Sequence, residues 1–230
     1  MQFIRLAEKM QQKYILIKKP VLDSLCKKRY PLGRQSTRAL CEATFGTREV
    51  LDMAILVSGG AGYIGSHTCI ELLNAGYDVV VADNYYNASP VVLDRVKQIT
   101  GKDFRFYQAD MTKHEDVEKI FAECPDITAV IQFAAYKAVG ESVSKPIEYY
   151  YNNLNCTLVI LDVMRRHNCH NFVFSSSATV YGDPASVPIT EDFPVGATTN
   201  PYGTTKAMTE RILTDVCKAD PTLNVALLRY

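Results

Sequence analysis

A glycine-rich turn between an apolar segment and an amphipathic one constrains the fold of this chain more than any other feature. Residues 54–65 read Ala-Ile-Leu-Val-Ser-Gly-Gly-Ala-Gly-Tyr-Ile-Gly, a strand-like run followed by glycines and the start of a helix. The glycines fit G-x-G-x-x-G from position 60 and G-x-x-G-x-x-G from position 59. Side chains there would block the turn or the approach of a pyrophosphate, and Gly65 would let the helix pack closely on the sheet. The turn predicts that Gly59, Gly62 and Gly65 bind a dinucleotide at a helix N-terminus.

The remaining residues from Met53 onwards alternate between strand-like and helix-like segments. Strands are predicted at 54–57, 78–82, 104–108, 127–133, 172–175 and 224–228, and helices at 63–75, 91–99, 117–124, 147–167 and 202–217. Apolar strands that are each followed by a helix indicate a parallel sheet covered on both faces. Right-handed crossovers then favour a doubly wound, Rossmann-type α/β fold.

The charge of the chain changes sign near residue 52. Residues 1–52 hold 11 Lys and Arg against 5 Asp and Glu, a balance of +6, whereas residues 53–230 hold 14 against 20, a balance of −6. We expect a basic N-terminal extension of low order, followed by one catalytic domain over 53–230. The seven scattered cysteines favour reduced thiols in the cytoplasm over a disulfide framework, and we expect no metal site.

Two carboxylates at predicted strand ends are candidates for cofactor binding. Asp83 lies 24 residues after Gly59, where a carboxylate would bind an adenosine ribose and repel a 2′-phosphate, so NAD is favoured over NADP. Asp83 could instead cap the next turn together with Asn84. Asp110 would suit the adenine amino group, but an equally good interpretation makes it the N-cap of the next helix, with Thr112 as competitor.

A tyrosine and a lysine one helical turn apart form the candidate catalytic pair. Tyr202 and Lys206 are spaced i and i+4 at the start of a predicted helix. The nearby positive charge should lower the pKa of the phenol, which would then act as a general base. Of the serines that follow the fifth strand, we choose Ser177 as the hydroxyl that shares the substrate proton and holds an oxyanion.

Four segments together carry a resemblance that extends almost unbroken from Met53 to Tyr230. They are residues 59–68 (GGAGYIGSHT), 137–143 (KAVGESV), 175–183 (SSSATVYGD) and 226–230 (ALLRY). With these segments the chain resembles the extended short-chain dehydrogenase/reductase superfamily and, within it, the UDP-glucose 4-epimerase family. The sequence departs from the family pattern at Ala135 and Tyr136, where Gly and Leu are frequent, and in Tyr-Tyr-Asn-Ala after Asn84.

The resemblance implies a role for each matching residue. For catalysis it implies Tyr202 as the base, Lys206 as its electrostatic partner and a ribose ligand, and Ser177 as the second hydroxyl. For the cofactor it implies backbone contacts from Tyr63 and Ile64, ribose and phosphate contacts from Asp83, Asn84 and Asn87, adenine contacts from Asp110 and Met111, and nicotinamide-side contacts from Phe133 and Lys137, with Asn152 nearby. For the substrate it implies Ser177, Lys137 and Tyr230.

The implied reaction is interconversion of UDP-glucose and UDP-galactose through a 4-keto intermediate, with NAD held tightly, in galactose metabolism. A homodimer is implied, and we expect neither nucleic acid nor a membrane as partner. Nucleotide-sugar 4,6-dehydratases are disfavoured because they carry Asp-Glu where this chain has Ser177-Ala178. A non-catalytic NAD sensor would not need Tyr202, Lys206 and Ser177 together. The resemblance also implies that the substrate domain is largely missing, so an NAD-binding fragment without turnover stays an alternative.

Overall fold

The computed structural model describes residues 53–230, which form one parallel sheet with helices on both faces. The prediction of low order for residues 1–52 lies outside this range. The strands are β1 (Ala54–Ser58), β2 (Asp78–Asp83), β3 (Arg105–Gln108), β4 (Ile127–Gln132), β5 (Asn171–Ser175) and β6 (Asn224–Leu228). All pairings are parallel, and the order is β3-β2-β1-β4-β5-β6. The predicted doubly wound fold is confirmed. Successive strands are added to one side of the sheet from β1 to β3 and to the other side from β4 to β6, so the strand order reverses between β1 and β4.

The helices follow the predicted pattern with two additions. They are α1 (Tyr63–Ala75), α2 (Val91–Thr100), α3 (His114–Glu123), α4 (Val139–Ser144), α5 (Pro146–Arg166) and α6 (Pro201–Ala219), with a 3₁₀ helix at Ala178–Tyr181. The α3 helix begins at His114, three residues before the predicted start at 117. The two elements that were not predicted, α4 and the 3₁₀ helix, span 6 and 4 residues, too few to show an apolar period.

The two faces of the sheet support separate apolar clusters. Successive residues of a strand point to opposite faces, so neighbours in β1 enter different clusters. Leu56 packs in the cluster that contains Ile160 of α5. Val57 packs in the cluster that contains Leu73 of α1. Helices cover both faces of the sheet, so a polar ligand cannot bind on either face. The carboxyl edge of the sheet is where such a ligand can bind. Over residues 53–230, no helix is long and apolar enough to cross a membrane.

Candidate functional site

A cavity of about 360 Å³ opens at the carboxyl ends of the strands, around the point where β1 and β4 diverge. The structure places every residue that was predicted for the site on its wall. These residues are Gly59, Gly62, Tyr63, Ile64, Gly65, Asp83, Asn84, Asn87, Asp110, Met111, Phe133, Lys137, Asn152, Ser177, Tyr202, Lys206 and Tyr230. Residues far apart in the sequence therefore meet at a single crevice, as the parallel sheet requires.

The glycine turn is packed so closely that a side chain at Gly59 or Gly65 would collide with backbone atoms. Gly59 has a φ of +74°, and a Cβ there would lie 2.6 Å from the backbone nitrogen of Ala134. A Cβ on Gly65 would lie 2.3 Å from the carbonyl oxygen of Gly59. Gly65 therefore allows the turn to close on itself, whereas the sequence predicted close packing against the sheet. Both positions require glycine for steric reasons.

The N-terminus of α1 faces this turn with its backbone donors uncapped. Its N-cap residue is Gly62, and no side chain accepts a hydrogen bond there. The first N–H groups of a helix have no partner inside the helix, so those of Tyr63 and Ile64 remain available to a ligand. The first turn carries no acidic residue that would compete for them. This arrangement suits an anionic group such as a phosphate.

Asp83 ends β2 and caps the turn that follows, which is one of the two functions that the sequence left open. One carboxylate oxygen accepts the N–H of Tyr85 at 2.8 Å, which caps the turn after the strand. The other accepts the N–H of Ala61 at 3.1 Å, which ties the carboxylate to the glycine turn. Burial raises the pKa of Asp83, and these two hydrogen bonds oppose the shift. Its oxygens keep lone pairs that a ribose hydroxyl could use.

Asp110 is not a helix N-cap, so that alternative interpretation is wrong. The N-cap of α3 is Lys113, and it makes no side-chain capping bond. The Asp110 carboxylate instead accepts the N–H of Thr112 at 2.9 Å and its hydroxyl at 2.7 Å. The local turn is thus closed before the helix starts, and Asp110 stays at the cavity wall.

Two of the catalytic candidates, Tyr202 and Lys206, lie on the first two turns of α6. Asn200 caps this helix by accepting the N–H of Gly203 at 2.8 Å, and Pro201 occupies its first position. The hydroxyl of Ser142 in α4 accepts the N–H of Tyr202 at 3.2 Å. Tyr202 is therefore fixed by its own helix start and by a neighbouring helix that the sequence did not predict.

Lys206 is buried behind Tyr202. Its Nζ donates to the carbonyl oxygen of Ser175 at 2.8 Å and lies 4.7 Å from the centre of the Phe174 ring. Burial lowers the pKa of Lys206 to about 8, because desolvation disfavours the ammonium form. The ammonium is 5.9 Å from the centre of the Tyr202 ring, close enough to influence the phenol electrostatically.

The pKa of Tyr202 departs from the direction that the sequence predicted. Burial raises this pKa, and a hydrogen bond with Ser177 opposes the rise. The predicted lowering of this pKa is wrong, because the loss of water around the phenolate has a larger effect than the hydrogen bond that opposes it. Ser177 is itself oriented by the 3₁₀ helix, since its hydroxyl oxygen accepts the N–H of Thr179 at 3.2 Å. Two hydroxyls therefore meet on the cavity wall.

A buried ion pair that the sequence did not reveal supports the same wall. Glu210 of α6 accepts two hydrogen bonds from the guanidinium of Arg229, at 2.9 and 2.6 Å. It also accepts the hydroxyl of Ser176 at 2.5 Å. Arg229 precedes Tyr230, whose hydroxyl bonds to that of Ser175. The ion pair therefore joins α6 to the ends of β5 and β6, where Ser177 and Tyr230 are located.

Asn153 is a second residue that sequence reasoning missed. Asn152 was predicted at the site, but it is the neighbouring Asn153 that is buried. Asn153 accepts the N–H of Tyr136 at 2.7 Å and donates to the carbonyl oxygen of Tyr136 and the hydroxyl of Thr205, each at 3.0 Å. A signal existed, because Asn153 lies four residues after Tyr149 and three before Cys156, on the buried stripe of α5.

Comparisons with known proteins agree with this arrangement. Residues 55–230 match the sequence model of the NAD dependent epimerase/dehydratase family. The chain is 61% identical over 178 residues to a UDP-glucose 4-epimerase of Haemophilus influenzae and 60% identical over 178 residues to that of Bacillus subtilis. Each alignment covers 77% of this chain and 52% of the relative. The chain thus spans about half the length of the curated relatives it matches.

Solved structures give the same result. A UDP-glucose 4-epimerase from Bifidobacterium longum, in complex with NAD⁺ and UDP, is 58% identical with a TM-score of 0.76. That comparison covers 77% of this chain and 53% of the other. A UDP-Glc/GlcNAc 4-epimerase from Campylobacter jejuni is 34% identical with a TM-score of 0.73, and again 77% of this chain and 53% of the other are covered.

Proposed function

Since this chain belongs to the NAD dependent epimerase/dehydratase family, we propose that its cavity holds NAD and that the whole protein interconverts UDP-glucose and UDP-galactose. The observation that carries the proposal is the convergence of Tyr202, Lys206 and Ser177 on the wall of a cavity that also contains the glycine turn. The names of the relatives and the bound NAD⁺ and UDP of one solved structure support it.

The cavity has the chemistry that NAD requires. The uncapped N-terminus of α1 fits a pyrophosphate, and Gly59 allows the turn in front of it to close against Ala134. Asp83 fits a ribose that carries no 2′-phosphate, and Lys206 would hold the other ribose. Asn84, Asn87, Asp110, Met111, Phe133, Lys137 and Asn152 would complete the contacts. When bound, NAD would supply reversible hydride transfer at C4 of the hexose.

The side chains would supply the proton transfer that accompanies this chemistry. Tyr202 would accept the proton of the 4-hydroxyl, and Ser177, already hydrogen-bonded to it, would share that proton. Lys206 would stabilise the phenolate from its buried position. Bringing a cationic ring near the phenol would lower the pKa of Tyr202 from the raised value that burial gives it. Lys137 and Tyr230 would border the sugar.

The proposal predicts different effects of Tyr202→Phe on binding and on turnover. This variant should bind NAD as tightly as the original chain, while interconversion of UDP-glucose and UDP-galactose falls by about 10² to 10⁴, the range of general acid–base catalysis. Affinity is measured by equilibrium dialysis with NAD, and turnover by chromatography of the two UDP-sugars. Tyr77→Phe, at an exposed tyrosine outside the cavity, is the control.

Two outcomes would contradict different parts of this proposal. A chain that binds no NAD would contradict all of it. A chain that binds NAD but converts neither UDP-sugar would leave cofactor binding intact and would show that residues 1–230 do not suffice for the reaction.

We also propose that a second copy of the chain covers an apolar stripe on α5. Ile147, Tyr151 and Leu158 are spaced i, i+4 and i+11 and are 77%, 72% and 45% exposed. Met208 on the adjacent α6 is 46% exposed. Four large apolar side chains on two packed helices favour burial against an equivalent surface.

Sedimentation velocity tests the dimer directly. The original chain should sediment as a dimer, and Tyr151→Glu should shift it toward the monomer because a charge would be buried in the interface. Tyr77→Glu places the same charge on an exposed residue away from the stripe and should leave the dimer unchanged. A monomeric original chain, or a dimer that resists Tyr151→Glu, would exclude this interface.

The proposed cellular compartment is the cytoplasm. Cys69, Cys124, Cys156 and Cys169 are buried free thiols, which suits a reducing environment.

A further inference from the structure

The two places where the sequence departs from the family pattern lie against each other. Tyr86 follows β2 and Tyr136 follows β4, and their ring centres are 4.7 Å apart with an angle of 32° between the ring planes. In the sheet, β2 and β4 are the two neighbours of β1. A contact between the loops after β2 and β4 therefore bridges the glycine turn that follows β1. Both rings line the cavity.

We propose that Tyr86 and Tyr136, together the aromatic clasp, form an additional dinucleotide-binding element that closes over the bound cofactor and slows its release. This inference rests on the proposed binding of NAD. It adds Tyr86 and Tyr136 to the residues that were predicted for the cofactor site.

The Tyr136 side of the clasp is rigid. Both backbone groups of Tyr136 are hydrogen-bonded by the buried Asn153. The Tyr136 ring meets the edge of the Tyr149 ring, with their centres 5.5 Å apart. The hydroxyl of Tyr149 accepts the N–H of Ala138 at 3.1 Å and donates to Glu141 at 2.9 Å. The Tyr136 ring therefore has a fixed position, against which the Tyr86 ring can close.

The Tyr86 side is more open. The residue is 61% exposed, and the side chain of Asn84 accepts its N–H at 3.0 Å. The preceding Tyr85 has a φ of +58° and packs on Phe106, which turns the chain so that successive rings point in different directions. Tyr85 anchors the loop to the apolar cluster, whereas Tyr86 projects from it.

The clasp borders open space. Both of its tyrosines also line a second cavity of about 160 Å³, together with Glu141, Lys145, Glu148 and Tyr149. Because Tyr86 borders two cavities and is largely exposed, its ring has space in which to swing away from Tyr136. Opening of the clasp then requires only that the two rings separate. Loss of the attraction between such rings changes an opening equilibrium or an opening rate by about 2- to 13-fold.

The test is the rate at which NADH leaves the full chain. NADH is bound, excess NAD is added, and the loss of nucleotide fluorescence is followed by stopped flow. Tyr86→Ala and Tyr136→Ala should each release NADH about 2 to 13 times faster than the original chain. The double variant should be no faster than the faster single variant, because either change alone removes the same contact. Tyr86→Phe keeps the ring and should release NADH at the original rate.

Controls separate the clasp from general weakening of the protein. Tyr77→Ala removes an exposed ring elsewhere and should not change release. Circular dichroism shows whether each variant is folded. If Tyr136→Ala is unfolded, the release rate of Tyr86→Ala alone tests the clasp. Unchanged release in Tyr86→Ala, or accelerations that multiply in the double variant, would overturn the clasp while leaving NAD binding intact. Failure of the original chain to bind NADH would instead overturn the proposed function and the clasp with it.

Discussion

Replacing Glu210 with alanine should lower the free energy of unfolding by about 3–5 kcal/mol, the range for breaking a buried ion pair by removing one partner. Glu210 and Arg229 have side chains that are 6% and 14% exposed, and the distance between their charged atoms is 2.6 Å. The variant would leave the guanidinium buried without its counter-charge and the hydroxyl of Ser176 without its acceptor.

Chemical denaturation followed by circular dichroism measures this loss of unfolding free energy. Two further variants serve as its controls. Asp215→Ala lies on the same helix and removes an exposed i, i+4 pair with Arg211, so it should leave the unfolding midpoint nearly unchanged. The double variant Glu210→Leu/Arg229→Met leaves no charge unpaired and should recover part of the loss. If Glu210→Ala were as mild as Asp215→Ala, the ion pair would not be the support that we infer.

Gly59→Ala should combine a large loss of stability with a loss of NAD binding. The residue has a φ of +74°, which costs an L-residue about 1–2 kcal/mol. Its Cβ would also lie 2.6 Å from the nitrogen of Ala134 and 2.9 Å from its Cα, both backbone atoms that cannot rotate away. Forcing the two loops apart should add about 1–3 kcal/mol and should displace the turn that faces the phosphates.

Gly101→Ala is the matched control for this change. Gly101 has a φ of +64°, and no atom lies within 4 Å of the point that its new methyl group would occupy, so its replacement introduces the backbone strain without the collision. Thermal unfolding should show a cost of about 1–2 kcal/mol for this variant, with NAD affinity unchanged in equilibrium dialysis. Equal effects of the two substitutions on stability and affinity would mean that the close approach to Ala134 does not constrain the turn.

Local sequence patterns predicted most of the helices and strands, because the apolar periods and capping residues that define these elements span only a few residues. The α1 helix has its predicted bounds, since Gly76 at a φ of +91° ends it in the left-handed conformation that glycine tolerates. The residues of β6 were also predicted. The α4 helix was not predicted because a single turn and a half carries no recognisable period. The missed start of α3 has a similar cause, because Lys113 caps it without a typical capping side chain.

The location of the site was predictable for a different reason. Parallel strands bring all their carboxyl ends to one edge, so residues after different strands meet there whatever their separation in the sequence. The contacts between elements were not predictable. Glu210 and Arg229 are 19 residues apart, and neither position has a local pattern that marks a buried ion pair. The direction of the Tyr202 pKa shift was also missed, because the sequence shows the neighbouring charge but not the degree of burial.

The side-chain amide of Asn153 also fixes the rotation of α5 about its axis relative to α6, the helix that carries Tyr202 and Lys206. It connects the backbone of Tyr136 to the hydroxyl of Thr205, so it can satisfy its partners at only one rotation of α5. A rotation by one residue would present Leu154 instead and leave several buried polar groups unpaired, each at a cost of about 1–3 kcal/mol. Apolar side chains alone would tolerate such slippage more readily. One polar residue thus fixes how α5 is rotated against α6, and with it the position of the helix that carries Tyr202 and Lys206.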